Sequence, residues 1–250
     1  GRAIIDDTTG APINAVAIDG GDEHLCALLS DGHIACWGST LALGFKALGT
    51  TTGDPAFALR VVHQGTLAPV TNATPLSMGK RNGCAVAEAD DRVLCWGHEG
   101  FDAAVPESGF AQPILTASDT PLVGATDVAL SMPKGSAQGD DDHPSYQQHA
   151  CAIIGESGEV WCWGQGGLGL GATDRVPLDS PRRVPGLSHV RELIVSGPFR
   201  CALGAFERPD AVYCWGTEEP IELLSPEGIQ SIKPRLGSDG NGASEGVFAR

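Results

Sequence analysis

Apolar residues at helical spacing rarely run for ten residues in this chain before a glycine or proline interrupts them. That pattern argues against long helices and for many short elements joined by turns. Between Cys26 and Cys36 it reads as a hairpin. Cys26-Ala27-Leu28-Leu29 leads into Ser30-Asp31-Gly32, and His33-Ile34-Ala35-Cys36 returns. A three-residue loop closed by Gly32 fits a type I turn followed by a left-handed glycine. It sets Leu29 against His33, Leu28 against Ile34 and Cys26 against Cys36.

The same pattern recurs. Cys-Trp-Gly stands at Cys36-Trp37-Gly38, Cys95-Trp96-Gly97, Cys162-Trp163-Gly164 and Cys214-Trp215-Gly216, at intervals of 52 to 67 residues. Each copy has an upstream Cys-Ala, at Cys26, Cys84, Cys151 and Cys201, so all 8 cysteines are used in pairs. Loops centred on Ala89-Asp90, Glu156-Ser157 and Glu207-Arg208 again put each cysteine opposite its mate. Intervals of this size suit blades rather than solenoid turns.

Facing cysteines on antiparallel strands lie about 4.5–5.5 Å apart at Cα, within disulfide reach. The expected bridges are Cys26–Cys36, Cys84–Cys95, Cys151–Cys162 and Cys201–Cys214, each contributing about 2–3 kcal/mol by chain entropy. A zinc site would need closely spaced pairs such as C-x-x-C, which the chain lacks. Four such bridges point to an oxidising compartment: extracellular, periplasmic or at the cell surface. Trp37, Trp96, Trp163 and Trp215 alternate with the cysteines and therefore face the other side of the strand. Packing between neighbouring sheets explains such rings better than ligand stacking.

Composition narrows the picture. Of 250 residues 42% are hydrophobic, too many for a disordered chain, and the 34 glycines and 17 prolines agree with frequent turns. A formal charge of −15 repels phosphate backbones and anionic headgroups, so nucleic acid is excluded as an expected partner. No stretch approaches the roughly twenty apolar residues of a membrane span. The chain starts at Gly1 without a signal-like segment and is read as a mature or excised form.

The string His24-Leu25-Cys26-Ala27-Leu28-Leu29-Ser30-Asp31-Gly32-His33-Ile34-Ala35-Cys36-Trp37-Gly38 strongly resembles the repeat of the regulator of chromosome condensation family. Gln165-Gly166-Gly167-Leu168-Gly169-Leu170-Gly171 is similar to the glycine-leucine segment that follows Trp-Gly there, and Pro177, Pro181 and Val184 to the lead into the next repeat. The resemblance spans about Ala11 to Gly216. The added cysteine pairs resemble a secreted bacterial branch. It implies an all-β propeller, most often seven-bladed, acting through loops and one flat face. The eukaryotic prototype is a nucleotide-exchange factor on chromatin, and a secreted bacterial relative inhibits β-lactamases.

Four motif copies and two termini suggest five blades in a single domain, 1–250, of about 50 residues per blade. In this reading Gly1–Asp6 pairs with Glu245–Arg250, after the lead-in Gly228–Ile232, and closes a composite fifth blade without an exposed edge. The alternatives are a part of a seven-bladed ring, or a strand-swapped oligomer in place of a monomer.

Outside the repeat, candidate chemistry is sparse. His24 and His149 occupy equivalent places and read as structural hydrogen-bonding residues rather than metal ligands. Residues 132–148 form an insertion, expected to be an exposed loop, that carries Asp140, Asp141, Asp142 and His143. This run reads as a solvated acidic loop, with Ca²⁺ its one candidate cofactor, although EF-hand spacing is missing. The G-x-G-x-x-G letters at Gly164–Gly169 lack the helix a dinucleotide needs, and Asn72-Ala73-Thr74 is a formal sequon followed by Pro75. The structural set is the eight cysteines, the four tryptophans and Gly38, Gly97, Gly164 and Gly216. With no catalytic residue to name, the expected function is a non-catalytic extracellular or envelope binding or scaffolding propeller with a protein or glycan partner. A secreted inhibitor or lectin-like module is the second reading, and a metal-assisted hydrolase using 140–143 the third.

Overall fold

In a computed structural model the described residues are 3–6, 8–21, 24–38, 57–79, 82–97, 108–131, 149–165, 168, 170, 178–196, 199–205, 211–215, 221–223, 232–234 and 247–249. They form an all-β molecule of repeated sheets. The first sheet comprises β1 (Ile5–Asp6), β2 (Ala15–Gly20), β3 (His24–Leu29), β4 (Ile34–Gly38) and β5 (Phe57–Arg60), and the second β6 (Leu76–Met78), β7 (Asn82–Ala87), β8 (Arg92–Gly97) and β9 (Ser108–Pro113). The third holds β10 (Ala125–Leu130), β11 (His149–Ile154), β12 (Glu159–Gly164) and β13 (Leu178–Arg183). The fourth holds β14 (Glu192–Ser196), β15 (Phe199–Leu203), β16 (Val212–Trp215) and β17 (Ile221–Leu223), and β18 (Ile232–Pro234) pairs with β19 (Val247–Ala249). Four sheets thus repeat one antiparallel meander. Their first strands, β2, β6, β10 and β14, lie against one another in series, and β18 continues the series beside β14.

The registers follow the hydrophobic pattern. Cys26 pairs with Cys36, Cys84 with Cys95, Cys151 with Cys162 and Cys201 with Cys214. All four pairs are disulfide-bonded with Cα separations of 4.1 Å. This is somewhat closer than the separation expected from strand geometry.

Packing between sheets obeys one rule. The disulfide face of the first sheet (Cys26, Leu28, Ile34, Cys36) packs with Trp96, Ala85 and Met78 of the second. Cys84, Val86, Val93 and Cys95 pack with Trp163, Ala150 and Val128 of the third, and Cys151, Ile153, Val160 and Cys162 with Trp215, Ala202 and Leu193 of the fourth. The tryptophans therefore fill joints between sheets. Small residues face two of them across the strand pair, Gly83 opposite Trp96 and Ala150 opposite Trp163, whereas Arg200 stands opposite Trp215 and Leu25 opposite Trp37. A Cβ on Gly83 would stand 2.8 Å from Trp96 Cζ2 and 2.7 Å from Met78 Cε.

The Trp37 face of the first sheet is different. Ile18, opposite Ala27, is 61% exposed, whereas Val128 and Leu193 at the same register place are 3% and 5% exposed. Val16 and Leu25 are exposed beside it. Trp37, Ala27, Leu29 and Ala35 pack with Ala58 of the same sheet and with Ile4 and Ile13 from the N-terminal segment.

Among the described residues the composite strand pair predicted from the termini does not form. Ile5 and Asp6 pair in parallel with Phe57 and Ala58, and Val247–Ala249 pairs antiparallel with Ile232–Pro234. Residues 4–13 instead repeat the connectors between sheets. Ile13 N–H donates to Ile4 O at 3.0 Å, as Val70 N–H does to Val61 O at 3.0 Å and Leu122 N–H to Ile114 O at 2.8 Å. The parallel contact of Asp6 with Ala58 matches that of His63 with Ala111 one sheet on. The apolar, β-branched Ile4-Ile5 is thus an arm of an inter-sheet connector, for which Val61-Val62 is the template. Arg60 holds this arm through Asp6 at 2.8 Å and also reaches Asp31 at 3.1 Å. Burial opposes the Asp6 charge, but Arg60 and the Thr8 and Thr9 N–H groups keep its carboxyl below the ordinary value.

Burial on both sides distinguishes the tryptophans energetically. Trp163→Ala should destabilise by about 3–5 kcal/mol, the range for a fully buried large aromatic. Trp37→Ala, on the open face, should cost distinctly less. Denaturant unfolding of the two variants measures the order, and equal losses would contradict the packing rule.

Candidate functional site

Strand direction alternates within each sheet, which sorts the connections between the two ends of the molecule. The hairpin turns at Ser30–Gly32, Ala89–Asp90 and Glu156–Ser157 and the inter-sheet connectors lie at one end. First-to-second and third-to-fourth strand connections leave at the other. Residues 39–56, 98–107, 132–148 and most of 165–177, which lie largely outside the described residues, all depart from that second end. It is the candidate functional end.

Its described floor is built by the strand termini. His24, Asn82 and His149 occupy one register place, opposite Gly38, Gly97 and Gly164, and all three are buried. Their carbonyls close the turn from the first strand: Gly21 N–H reaches His24 O at 3.0 Å, Gly79 N–H reaches Asn82 O at 2.9 Å, and Ser131 N–H reaches His149 O at 2.9 Å. In the first two sheets two residues stand between donor and acceptor positions, 22–23 and 80–81. In the third the whole of 132–148 stands there. The neck is tightened by a second bond, His149 N–H to Ser131 Oγ at 3.0 Å. His24 and His149 are thus floor residues of this end. Asp140, Asp141, Asp142 and His143 lie outside the described residues, as does Gly216. Among the described residues no three His, Cys, Asp or Glu side chains converge as metal ligands.

The glycine of Cys-Trp-Gly has a backbone reason. Gly38, Gly97 and Gly164 have φ of 123°, 118° and 96°, in the region that L side chains rarely adopt. Leu168, from the glycine-leucine segment, is buried in the joint between the third and fourth sheets. Its carbonyl accepts the Trp215 Nε1–H at 3.2 Å.

Three polar side chains unremarked in the sequence tie the first strands together. Asp19 Oδ2 accepts Met78 N–H at 2.8 Å, Ser77 Oγ accepts Leu130 N–H at 3.1 Å, and Asp127 Oδ2 accepts Leu193 N–H at 3.3 Å. Each bond crosses from one sheet to the next. First strands are sheet edges, whose outward N–H groups would otherwise lack partners, and these side chains supply them. Burial raises the carboxyls of Asp19 and Asp127 above the ordinary value, Asp127 to about 6. Asn72 of the formal sequon is exposed on the connector entering the second sheet.

This arrangement defines a β-propeller with one loop-bearing end. Comparison with known proteins agrees. Residues 15–40 match the family described as the regulator of chromosome condensation (RCC1) repeat. Human WBSCR16 superposes with a TM-score of 0.64 at 16% identity, covering 87% of this chain and 55% of that one. Prp20p from Saccharomyces cerevisiae gives 0.62 at 15% identity over 87% and 53%, and yeast RCC1 (Prp20) bound to Kap60 gives 0.59 at 14% over 87% and 51%. The chain thus shares the propeller fold of these structures and carries one segment similar to the RCC1 repeat, and it spans about half their length.

Replacing the Gly97 hydrogen by a methyl group should destabilise the protein by about 1–3 kcal/mol, the cost of holding a side chain in that backbone region. Thermal or denaturant unfolding of Gly97→Ala measures it. An unchanged midpoint would show that the turn relaxes freely.

Proposed function

We propose that this chain is a non-catalytic binding or scaffolding module that works in an oxidising, extracellular or envelope setting and recognises a protein or glycan through its loop end. The observation that carries the reading is the Ser131–His149 neck. A connection that spans two residues elsewhere is expanded there without disturbing the strands beneath it. An insertion held on a closed, buried base can vary in sequence at little cost to the fold, which suits recognition. Four disulfides support the compartment. A protein partner is supported by the fold relatives: Prp20p has binding properties to Gsp1p and histones, and yeast RCC1 is bound to Kap60. The strongly acidic balance of this chain favours a partner with a basic surface.

The test replaces residues 132–148 by a two-residue turn of the Asp22-Glu23 kind. The shortened protein should melt within about 4 °C of the parent, a change of roughly 1 kcal/mol or less. Immobilised parent and shortened proteins are then compared for partners captured from envelope extracts. Loss of a specific partner by the shortened protein supports the reading. Unchanged capture, or failure of the shortened protein to fold, would overturn it.

A further inference from the structure

Each tryptophan-filled joint between sheets has two parts. One is the disulfide face of the preceding sheet. The other is the connector leading into the following sheet, whose apolar residues share a cluster with the tryptophan: Val61 and Val70 with Trp96, Ile114 and Leu122 with Trp163, Val184 and Val190 with Trp215. The connector is tied back to the preceding sheet. Val61 N–H donates to Ile34 O at 2.9 Å, Ile114 N–H to Val93 O at 3.0 Å and Val184 N–H to Val160 O at 2.8 Å. The Trp37 face has the connector part alone. Ile4 and Ile13 stand in the places of Val61 and Val70 and pack in the Trp37 cluster. Among the described residues, no preceding sheet lies there to accept the Ile4 N–H or to cover the face.

We propose that the Trp37 face is the receiving half of a joint made between copies of this chain, and that it takes the last sheet, β18–β19, of a second copy head to tail. Burial shows that the face is shaped for a sheet. Ile18 is 61% and Leu25 41% exposed. At the Ile18 place Val128 and Leu193 are buried, and at the Leu25 place Arg200 is buried, so the repeat accommodates a long side chain there. The direction of the series names the occupant. In every tryptophan-filled joint the disulfide side of one sheet meets the tryptophan side of the next. The first strands follow one another from β2 to β18. Among the described residues the first sheet therefore lacks a preceding neighbour and the β18–β19 sheet a following one. The strands of that last sheet carry Ile232, Val247, Phe248 and Ala249, an apolar set suited to the exposed isoleucine and leucine. A contact between unlike faces builds a ring where the rotation closes and a filament where it does not. It makes no use of the 132–148 connection.

The test is sedimentation velocity of the full chain from about 1 to about 100 μM, the range in which a micromolar contact fills. The parent should pass from the monomer mass to at least twice that mass. Ile18→Glu would bury a charge in the joint and should weaken association about tenfold or more. Leu67, 58% exposed on the connector between the first and second sheets, provides the control, and Leu67→Glu should associate like the parent. Both side chains stand in solvent, so neither change should move the melting point of the dilute monomer. The occupant is identified by placing the photo-crosslinker benzoylphenylalanine at position 18 in a mixture of ordinary and heavy-isotope-labelled protein. Crosslinks of mixed mass from position 18 to 232–234 or 247–249 support the proposal. A monomer throughout, association untouched by Ile18→Glu, or mixed-mass crosslinks to other strands would refute it. So would crosslinks confined to one copy, which would mean that the chain's own last sheet closes over the face.

Discussion

The joint between sheets is the interaction on which the rest of this molecule depends. A hairpin disulfide presents a thin, flat, apolar face, and the tryptophan face of the next sheet lies on it. Neither face is stable in water alone. A covalent bridge across each hairpin holds two strands in register before any neighbour arrives, which suits a repeat whose sheets are too small to stand alone. The small residues beneath the indoles, Gly83 and Ala150, follow from the same demand for close approach. Where no described sheet covers the tryptophan face, on the first sheet, large apolar side chains stand in solvent at places that are buried elsewhere.

Stacking sheets in this way creates a second constraint. Each first strand is an edge, and the edges meet along the joints. Their outward N–H groups need acceptors, and Asp19, Ser77 and Asp127 supply them from the preceding sheet. A hydroxyl does this at no electrostatic cost. A carboxyl does it more strongly when charged, at the cost of withdrawing part of that charge from water.

Topology sorts the connections. Alternating strand direction sends the tight turns and connectors to one end and the expandable connections to the other. The floor at the second end is buried and repeated, with His24, Asn82 and His149 at one register place. It can therefore carry connections of very different length.

Much of this was legible in the residues, because the repeat is local. Hairpin register, cysteine pairing and the alternation of cysteine with tryptophan depend on neighbours a dozen residues apart, and strand periodicity records them directly. The 132–148 insertion was visible as excess length in one repeat. The destination of the N-terminal strand was not. Ile4-Ile5 is equally apolar as a blade strand or as a connector arm, and only its contacts with Phe57, Ala58 and Trp37 distinguish the two. The ties made by Asp19, Ser77 and Asp127 were invisible for a related reason. Each joins residues 53 to 66 positions apart, and an isolated polar residue in a strand carries no mark of the backbone it will meet. Sequence by itself determined the unit of this protein, a bridged hairpin with one disulfide face and one tryptophan face. Tertiary structure alone decided which face meets which and which polar side chains span the joints, because those choices rest on contacts between units and leave no period in the chain.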